Sequence, residues 1–237
     1  MSTLDPLDVE QYATRSALLE AERPLLYDEL EAQSRVSPAQ RCFEIAVAAV
    51  ALTLSLPIIV IMAIIIKLDS PGPAFFGHWR LGKGGKPFWF VKMRTLYADA
   101  RERWPELYEY NYTPEELDRL YFKVPDDPRI TRVGAWLRRS TLDELPNFWH
   151  VLTGEMALVG PRPEIPEMLR YYEGEERLKF SVRPGITGLA QVSGRGRLSF
   201  RETTRLDVEY VKNQSWRLDL QIILRTIRGL LTRDGAF

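Results

Sequence analysis

Residues 45–66 read IAVAAVALTLSLPIIVIMAIII and carry no charged side chain. The stretch has about the 20 residues that a helix needs to cross the hydrocarbon of a bilayer. A helix in the core of a soluble protein usually keeps one polar face, whereas this one is apolar on every side. An acidic leader precedes it and no small-residue cleavage motif follows, which argues against a signal peptide. We therefore predict a membrane helix over residues 41–68.

Pro57 lies in the middle of this predicted helix, where a proline removes one backbone hydrogen bond and kinks the chain. In lipid the freed carbonyl needs another partner, and the hydroxyl of Ser55 or Thr53 is available. Basic residues flank the stretch on both sides, although positive charge prefers the cytoplasmic face of a membrane. The proline and the basic flanks are both explained if the helix breaks at Pro57 and Ser55 and returns to the membrane face from which it entered. The alternative is a kinked helix that crosses once.

Composition limits the class of function. The chain has 237 residues with 32 Lys and Arg and 32 Asp and Glu, so it lacks the basic field expected of a nucleic-acid-binding protein. The one cysteine, Cys42, cannot form an internal disulfide, and this fits a cytosolic environment. The two histidines, His78 and His150, stand far apart in sequence, which argues against a zinc site.

The rest of the chain indicates a helix-rich α+β protein. Residues 1–40 form an acidic N-terminal extension, and residues 69–237 form one further domain. Within that domain, Ala74–Leu81 and Pro87–Thr95 flank a glycine-rich turn, which predicts a small antiparallel hairpin.

Helical patterns occupy much of the remainder. Residues 99–122 are predicted to be helical and amphipathic with a break near Pro114, and Asp126-Asp127 are expected to cap a helix over Arg129–Arg139. Leu189–Val192 is predicted to be a short strand. Apolar residues in Leu218–Leu231 recur at helical spacing, which predicts a helix that lies on the membrane surface or packs under the domain.

Two adjacent carboxylates, Asp143 and Glu144, stand where a further helix is predicted to begin, and Gly154 is expected to end it. Thr141-x-x-Glu144 matches a capping box, and Asp143 is the other candidate for the N-cap. The N-terminus of a helix also attracts anionic ligands. Capping accounts for one acid but not for two beside Arg138-Arg139, so a structural and a catalytic role both stay open.

Arg162 is held between Pro161 and Pro163. Each proline fixes its own φ, and Pro163 keeps the preceding residue out of the helical region. A guanidinium presented from such a stiff backbone suits a diphosphate, which it can bind through two parallel hydrogen bonds. The alternative is an ordinary turn with a surface arginine.

Four further polar residues are weaker candidates for ligand contacts. Lys92 and Arg94 fall on one face of the second predicted strand, where they contact a phosphate or face solvent. Arg195 lies in a glycine-rich loop, and Asp207 is an isolated acid among apolar residues. Asp207 either orients a sugar or base or lies on a wet face.

Taken together, the chain resembles the bacterial sugar transferase family, the monotopic phosphoglycosyl transferases. The likeness runs from Arg41 to the C-terminus, through motifs in one order: Lys67–Pro73, Lys92–Thr95, Thr141–Pro146, Val159–Pro163, Arg183–Gly188, Gly194-Arg195 and Asp207–Val211. Many members have Ser-Pro where this chain has Leu56-Pro57, and Asn where it has Gly196.

The resemblance implies a re-entrant helix with both ends cytoplasmic, in the bacterial inner membrane, and a catalytic domain on the cytoplasmic face. It implies transfer of a sugar-1-phosphate from a UDP-sugar to undecaprenyl phosphate with Mg²⁺, as the first membrane step of surface polysaccharide or glycoconjugate synthesis. The expected partners are these substrates and membrane lipid, without nucleic acid; a homodimer is left open.

By analogy with the family, Asp143 is the nucleophile, forming a covalent aspartyl-phosphosugar and releasing UMP. Glu144 completes the dyad, and both carboxylates are expected to bind the metal. The candidates for substrate and phosphate contacts are Arg162, Arg138, Arg94, Lys92, Arg195 and Asp207. Two alternatives are a non-catalytic scaffold protein of a polysaccharide assembly complex and a direct glycosyl transferase that releases UDP.

Overall fold

The structure, a computed structural model, describes residues 36–121, 126–194 and 197–232. Its helices are α1 (Pro38–Asp69), α2 (Ala100–Arg103), α3 (Pro114–Asp118), α4 (Arg132–Ser140), α5 (Phe148–Thr153), α6 (Leu189–Gly194), α7 (Phe200–Lys212) and α8 (Trp216–Thr232). Its strands are β1 (Phe75–Leu81), β2 (Pro87–Met93), β3 (Ala157–Val159) and β4 (Gly185–Thr187). Short 3-10 helices cover Lys83–Gly85, Pro105–Tyr108, Leu142–Asn147, Pro166–Tyr171 and Gly174–Ser181. The predicted helix-rich α+β class is confirmed.

Helix α1 is the one described helix that is long and apolar enough to cross a membrane. It begins earlier than predicted because Ser37 caps it, accepting a hydrogen bond from the Gln40 N–H at 3.1 Å. The helix continues through Pro57 without interruption, and the Ser55 hydroxyl donates to the Leu52 carbonyl at 3.0 Å. That carbonyl is not the one that Pro57 leaves without its helical donor, which belongs to Thr53. A re-entrant path therefore stays a prediction.

Helix α1 contacts the rest of the protein near both of its ends. Close to the start, Glu44 is 2.7 Å from the Arg183 guanidinium, and Arg41 donates to the Leu152 carbonyl at 3.1 Å. Towards the other end, Ile59 and Ile66 are buried in a cluster with residues of β2 and α4. Only 17% of its most apolar window is buried, so most of the apolar surface of α1 remains available to lipid.

The predicted hairpin is confirmed. Strands β1 and β2 pair antiparallel, with Phe75 opposite Met93 and Leu81 opposite Pro87. The turn between them requires its glycines, since Gly84 and Gly85 both have φ of 69°, in the left-handed region.

The structure contains a second pair of strands, which is parallel and was not predicted from the sequence. Strand β3 pairs with β4, with Val159 opposite Thr187. The two backbone segments approach so closely that a Cβ on Gly185 would lie 2.1 Å from the Gly160 nitrogen. The predicted strand over Leu189–Val192 is wrong, because those residues form α6 and the Val192 N–H donates to the Gly188 carbonyl at 3.1 Å.

Helix α4 starts later than predicted. Its N-cap is Thr131, whose hydroxyl accepts from the Gly134 N–H at 2.9 Å. Asp127 instead forms an ion pair with Arg129 at 2.8 Å, so its expected capping role is wrong. Gly134 brings the helix against the end of β2, since a Cβ there would lie 2.0 Å from the Thr95 carbonyl oxygen.

Two other helical predictions are refined. The described part of the amphipathic segment 99–122 comprises α2, a 3-10 turn and α3, and the predicted break near Pro114 is confirmed because α3 begins at that residue. The C-terminal helix is confirmed as α8. One side of α8 packs into the core through Ile222, which is fully buried, whereas Leu224 is 66% exposed and Leu231 is 79% exposed on another side. The helix thus packs on the domain and also presents an apolar face.

Candidate active site

The two acids lie on a 3-10 helix between α4 and α5, Leu142–Asn147, which we call the acid segment. Helix α4 ends in a left-handed turn at Thr141, with φ of 56°. The Thr141 hydroxyl donates to the Ser140 carbonyl and caps nothing, so the expected capping box is wrong. Gly154 does end α5, as predicted, with φ of 91°. The Glu144 side chain therefore does not cap this helix.

Glu144 forms an ion pair with Arg162. An Arg162 Nη donates to the Glu144 Oε1 at 2.7 Å, and the arginine side chain is half exposed. Burial disfavours the Glu144 carboxylate, but the charge and hydrogen bond of Arg162 outweigh burial and hold its pKa below the usual value. The structure thus brings together two residues that are 18 positions apart in sequence.

Asp143 is only 6% exposed. Burial raises the pKa of its carboxyl to about 6, and the neighbouring charge of Glu144 acts in the same direction. Lys92, Arg162 and Arg138 lower this pKa, but they do not cancel the effect of burial. Asp143 is therefore a buried carboxylate among cations, more basic than an ordinary aspartate and still ionised at neutral pH.

The cations around the acids come from different elements. Burial lowers the pKa of the Lys92 amine to about 8, although the charge of Asp143 opposes this change. Arg138, on α4, donates from Nε to the Thr95 hydroxyl at 3.1 Å. Together with Arg162 they place three cations around two carboxylates, an arrangement that favours a further anionic group such as a phosphate.

Two residues that the sequence analysis missed also line this region. Arg80, on β1, donates to the Pro163 carbonyl at 2.9 Å and so contacts the proline-flanked turn that carries Arg162. Asn147, at the end of the acid segment, is 1% exposed, and its Oδ1 has no hydrogen-bond partner among the residues that the structure describes. A small cavity separates these groups; its lining residues are Arg80, Phe90, Glu144, Asn147, Met156, Arg162, Pro163, Gly185 and Ile186.

Two further predicted phosphate ligands are buried with partners inside the protein, so a phosphate contact for either of them stays a prediction. Arg94 is 2% exposed and donates to the carbonyl groups of Ser70 and Pro71, just beyond α1. Asp207 is 1% exposed and lies 3.1 Å from the Lys179 amine. A buried charge is costly unless it is paired, and these internal partners offset part of that cost. Arg195, the remaining candidate, lies outside the described residues.

The acids also suit a particular kind of metal site. Among the described residues, no group of three His, Cys, Asp or Glu side chains converges as a complete protein cage would require. Mg²⁺ is commonly held by one or two carboxylates together with substrate phosphates and water. Asp143 and Glu144, adjacent on the acid segment, fit that smaller set of ligands.

Comparison with known proteins identifies a family and several relatives. The family model described as "Bacterial sugar transferase" matches residues 35–233. The chain is 37% identical over 199 residues to the exopolysaccharide production protein ExoY of Rhizobium meliloti, covering 84% of this chain and 88% of that protein. It is 39% identical over 206 residues to the UDP-glucose:undecaprenyl-phosphate glucose-1-phosphate transferase of Caulobacter vibrioides, covering 84% and 72% respectively.

Some relatives are much longer than this chain. The UDP-galactose-lipid carrier transferase of Erwinia amylovora is 39% identical over 198 residues, a match that covers 84% of this chain but 41% of that protein. The part of this chain that the family model matches includes the apolar helix, the acid segment and the Arg162 turn. On this evidence the chain belongs to the bacterial sugar transferase family.

Proposed function

We propose that this chain transfers a sugar-1-phosphate from a UDP-sugar to undecaprenyl phosphate at the start of exopolysaccharide synthesis. The observation that carries the proposal is Asp143, a buried ionisable carboxylate placed among Lys92, Arg138 and Arg162. The names of the Caulobacter and Erwinia relatives support the same class of reaction.

In the first step, an Asp143 carboxylate oxygen attacks the β-phosphorus of the UDP-sugar. A new P–O bond forms to Asp143, the bond to the bridging oxygen breaks, and UMP leaves with the electron pair. The product on the protein is an aspartyl phosphosugar. Burial favours this chemistry because it makes the carboxylate more basic than an exposed one, and hence a better nucleophile.

The surrounding cations offset the repulsion between the carboxylate and the diphosphate. Arg162 presents two donor edges, so it can contact a phosphate while it keeps its bond to Glu144. Lys92 and Arg138 add positive charge close to Asp143, and each lowers the pKa of its carboxyl. Stabilisation of this kind is worth about 3 kcal/mol for one well-placed donor.

In the second step, an oxygen of the lipid phosphate attacks the same phosphorus. The bond to Asp143 breaks, which regenerates the carboxylate and yields the lipid diphosphosugar. Two successive displacements let both substrates use one set of phosphate contacts.

Asp143 and Glu144 are also the residues that would hold Mg²⁺. When bound, the ion would neutralise charge on the diphosphate, which is the usual contribution of Mg²⁺ to phosphoryl transfer.

The acid segment is joined to the proposed membrane helix. Leu142 and Leu145 pack in the same apolar cluster as Ile59 and Ile66 of α1. An active site there would meet the phosphate of a lipid acceptor at the membrane interface while the polyprenyl tail stays in lipid.

We also propose that α1 is re-entrant and that the domain is cytoplasmic, since residues near both ends of α1 contact the same domain. Cys42 is exposed near the first end, and Leu68 is 82% exposed at the other. Impermeant maleimide should label Cys42, and a Cys42→Ser, Leu68→Cys variant, in inverted vesicles but not in spheroplasts. Labelling of the two positions from opposite sides would establish a single crossing.

The reaction itself is tested by product identity. The purified chain in nanodiscs with Mg²⁺ is given a panel of UDP-sugars without acceptor, and we expect UMP release in about stoichiometric amount. Added undecaprenyl phosphate should then allow turnover. Release of UDP would indicate a direct glycosyl transferase. Failure with every sugar tested would favour the scaffold alternative.

A further inference from the structure

His150 is buried beneath the candidate site and faces β2. It is 2% exposed, and its ring stacks on Phe90 with an interplanar angle of 12°. It lies on α5, which continues directly from the acid segment.

The ring makes two directed contacts. The Val91 N–H donates to His150 Nε2 at 3.1 Å, and Nδ1 lies 2.7 Å from a Glu155 carboxylate oxygen. A backbone N–H can only donate, so Nε2 must be the accepting nitrogen and the proton must lie on Nδ1, which donates to Glu155. Glu155 is itself steadied by the Thr153 hydroxyl at 3.0 Å.

The Val91 contact fixes the free edge of the hairpin. In an antiparallel pair, alternate N–H groups of a strand face away from the partner strand and need another acceptor. His150 supplies that acceptor for Val91, the residue directly before Lys92. The bond therefore ties the helix after Asp143 and Glu144 to the strand that carries Lys92.

We infer that His150 is a positioning residue: through Val91 it sets where the Lys92 ammonium stands relative to Asp143. This inference rests on the proposed function. Lys92 and Asp143 belong to separate elements, and a displacement of about 1 Å between reacting groups can cost about 100-fold in rate. His150 does not touch the reacting atoms and takes no proton from substrate.

Three substitutions separate this role from simple packing. His150→Gln places an amide oxygen near the position of Nε2, so it keeps an acceptor for Val91. His150→Asn reaches only as far as Nδ1, and His150→Leu has no acceptor. We expect UMP release within about 3-fold of the unaltered chain for Gln, and a loss of about 10- to 100-fold in kcat for Asn and Leu. The KM for UDP-sugar should change much less than kcat.

Two further readouts make the test specific. Amide exchange at Val91 should be at least about tenfold faster in the Asn and Leu variants than in the Gln variant. In a Lys92→Met background, His150→Asn should cause little further loss, because its effect passes through Lys92. Asp118→Asn, which replaces an exposed carboxylate on α3 far from this hydrogen-bond network, serves as the control and should stay within about twofold.

Each outcome has one meaning. Equal rates for the Gln and Asn variants, or losses that multiply with Lys92→Met, would overturn the positioning role. The comparison of Gln with Asn keeps the test valid if the Leu variant fails to fold. Absence of UMP release by the unaltered chain would instead overturn the proposed function, while the exchange at Val91 would still report whether His150 holds the strand.

Discussion

Asp143→Asn should release no detectable UMP from any UDP-sugar and should unfold at a higher temperature than the unaltered chain at pH 8. Loss of a nucleophile removes the covalent step, and we expect at least about a 1,000-fold decrease in rate. The gain in stability follows from burial, since an ionised Asp143 is less favourable in the folded state than in water.

The sign of the pH effect follows from the two pKa values. The pKa of Asp143 is about 6 in the folded state, above the value of about 3.9 for an unfolded chain. Below both values the group costs nothing, and the stability of the unaltered chain falls as the pH rises from about 4 to above 6. At pH 8 the charged group costs at most about 3 kcal/mol.

Both effects can be measured on one preparation. UMP release is followed with Mg²⁺, and thermal unfolding is followed without substrate in EDTA, at pH 8 and again near pH 4.5. The difference in melting temperature should shrink at the lower pH. Asp118→Asn, which replaces an exposed carboxylate on α3, is the control and should alter neither quantity. Residual UMP release above about 1%, or a lower melting temperature at pH 8, would contradict the assignment.

Arg162→Lys should lower kcat/KM for UMP release by about 100-fold or more. Lysine keeps the charge but loses the planar fork that can contact Glu144 and a phosphate together. The prolines on both sides hold the backbone at position 162, so the backbone cannot shift to let a lysine regain the contacts that arginine makes.

The matched control for Arg162 is Arg170→Lys. Arg170 is an exposed arginine whose guanidinium contacts Tyr110 and Asn111, away from the acids. We expect its rate to stay within about twofold of the unaltered chain. A loss below about fivefold for Arg162→Lys would show that a point charge suffices and would argue against two-edged phosphate binding.

Local patterns predicted the parts of the fold that local chemistry determines. The uncharged run 45–66 could only be an apolar helix, and the glycine-rich turn fixed the hairpin of β1 and β2. The β3–β4 pair could not be found this way, because each strand has three residues and its partner lies far along the chain. Strands of that length carry too little periodicity to distinguish from turns.

The site residues that could be predicted are those whose local sequence is distinctive. Asp143, Glu144 and Arg162 stand in distinctive local sequences, and the structure brings them together. Arg80 and His150 look like ordinary strand and helix residues, and their roles depend on partners distant in sequence. The internal contacts of Arg94 were hidden for the same reason, since nothing local reveals that it meets the carbonyl groups after α1.

The attachment of α1 has a consequence for where this protein can be divided. Ala48 is fully buried in the main core cluster, and Ile66 is 2% exposed in another, so the apolar helix supplies part of the interior. A chain that began at residue 70 would lose these contacts and leave Arg183 half-buried without its carboxylate. The segment that composition marks as an anchor is thus part of the folding unit, and the helix proposed to enter the membrane also completes the core of the domain.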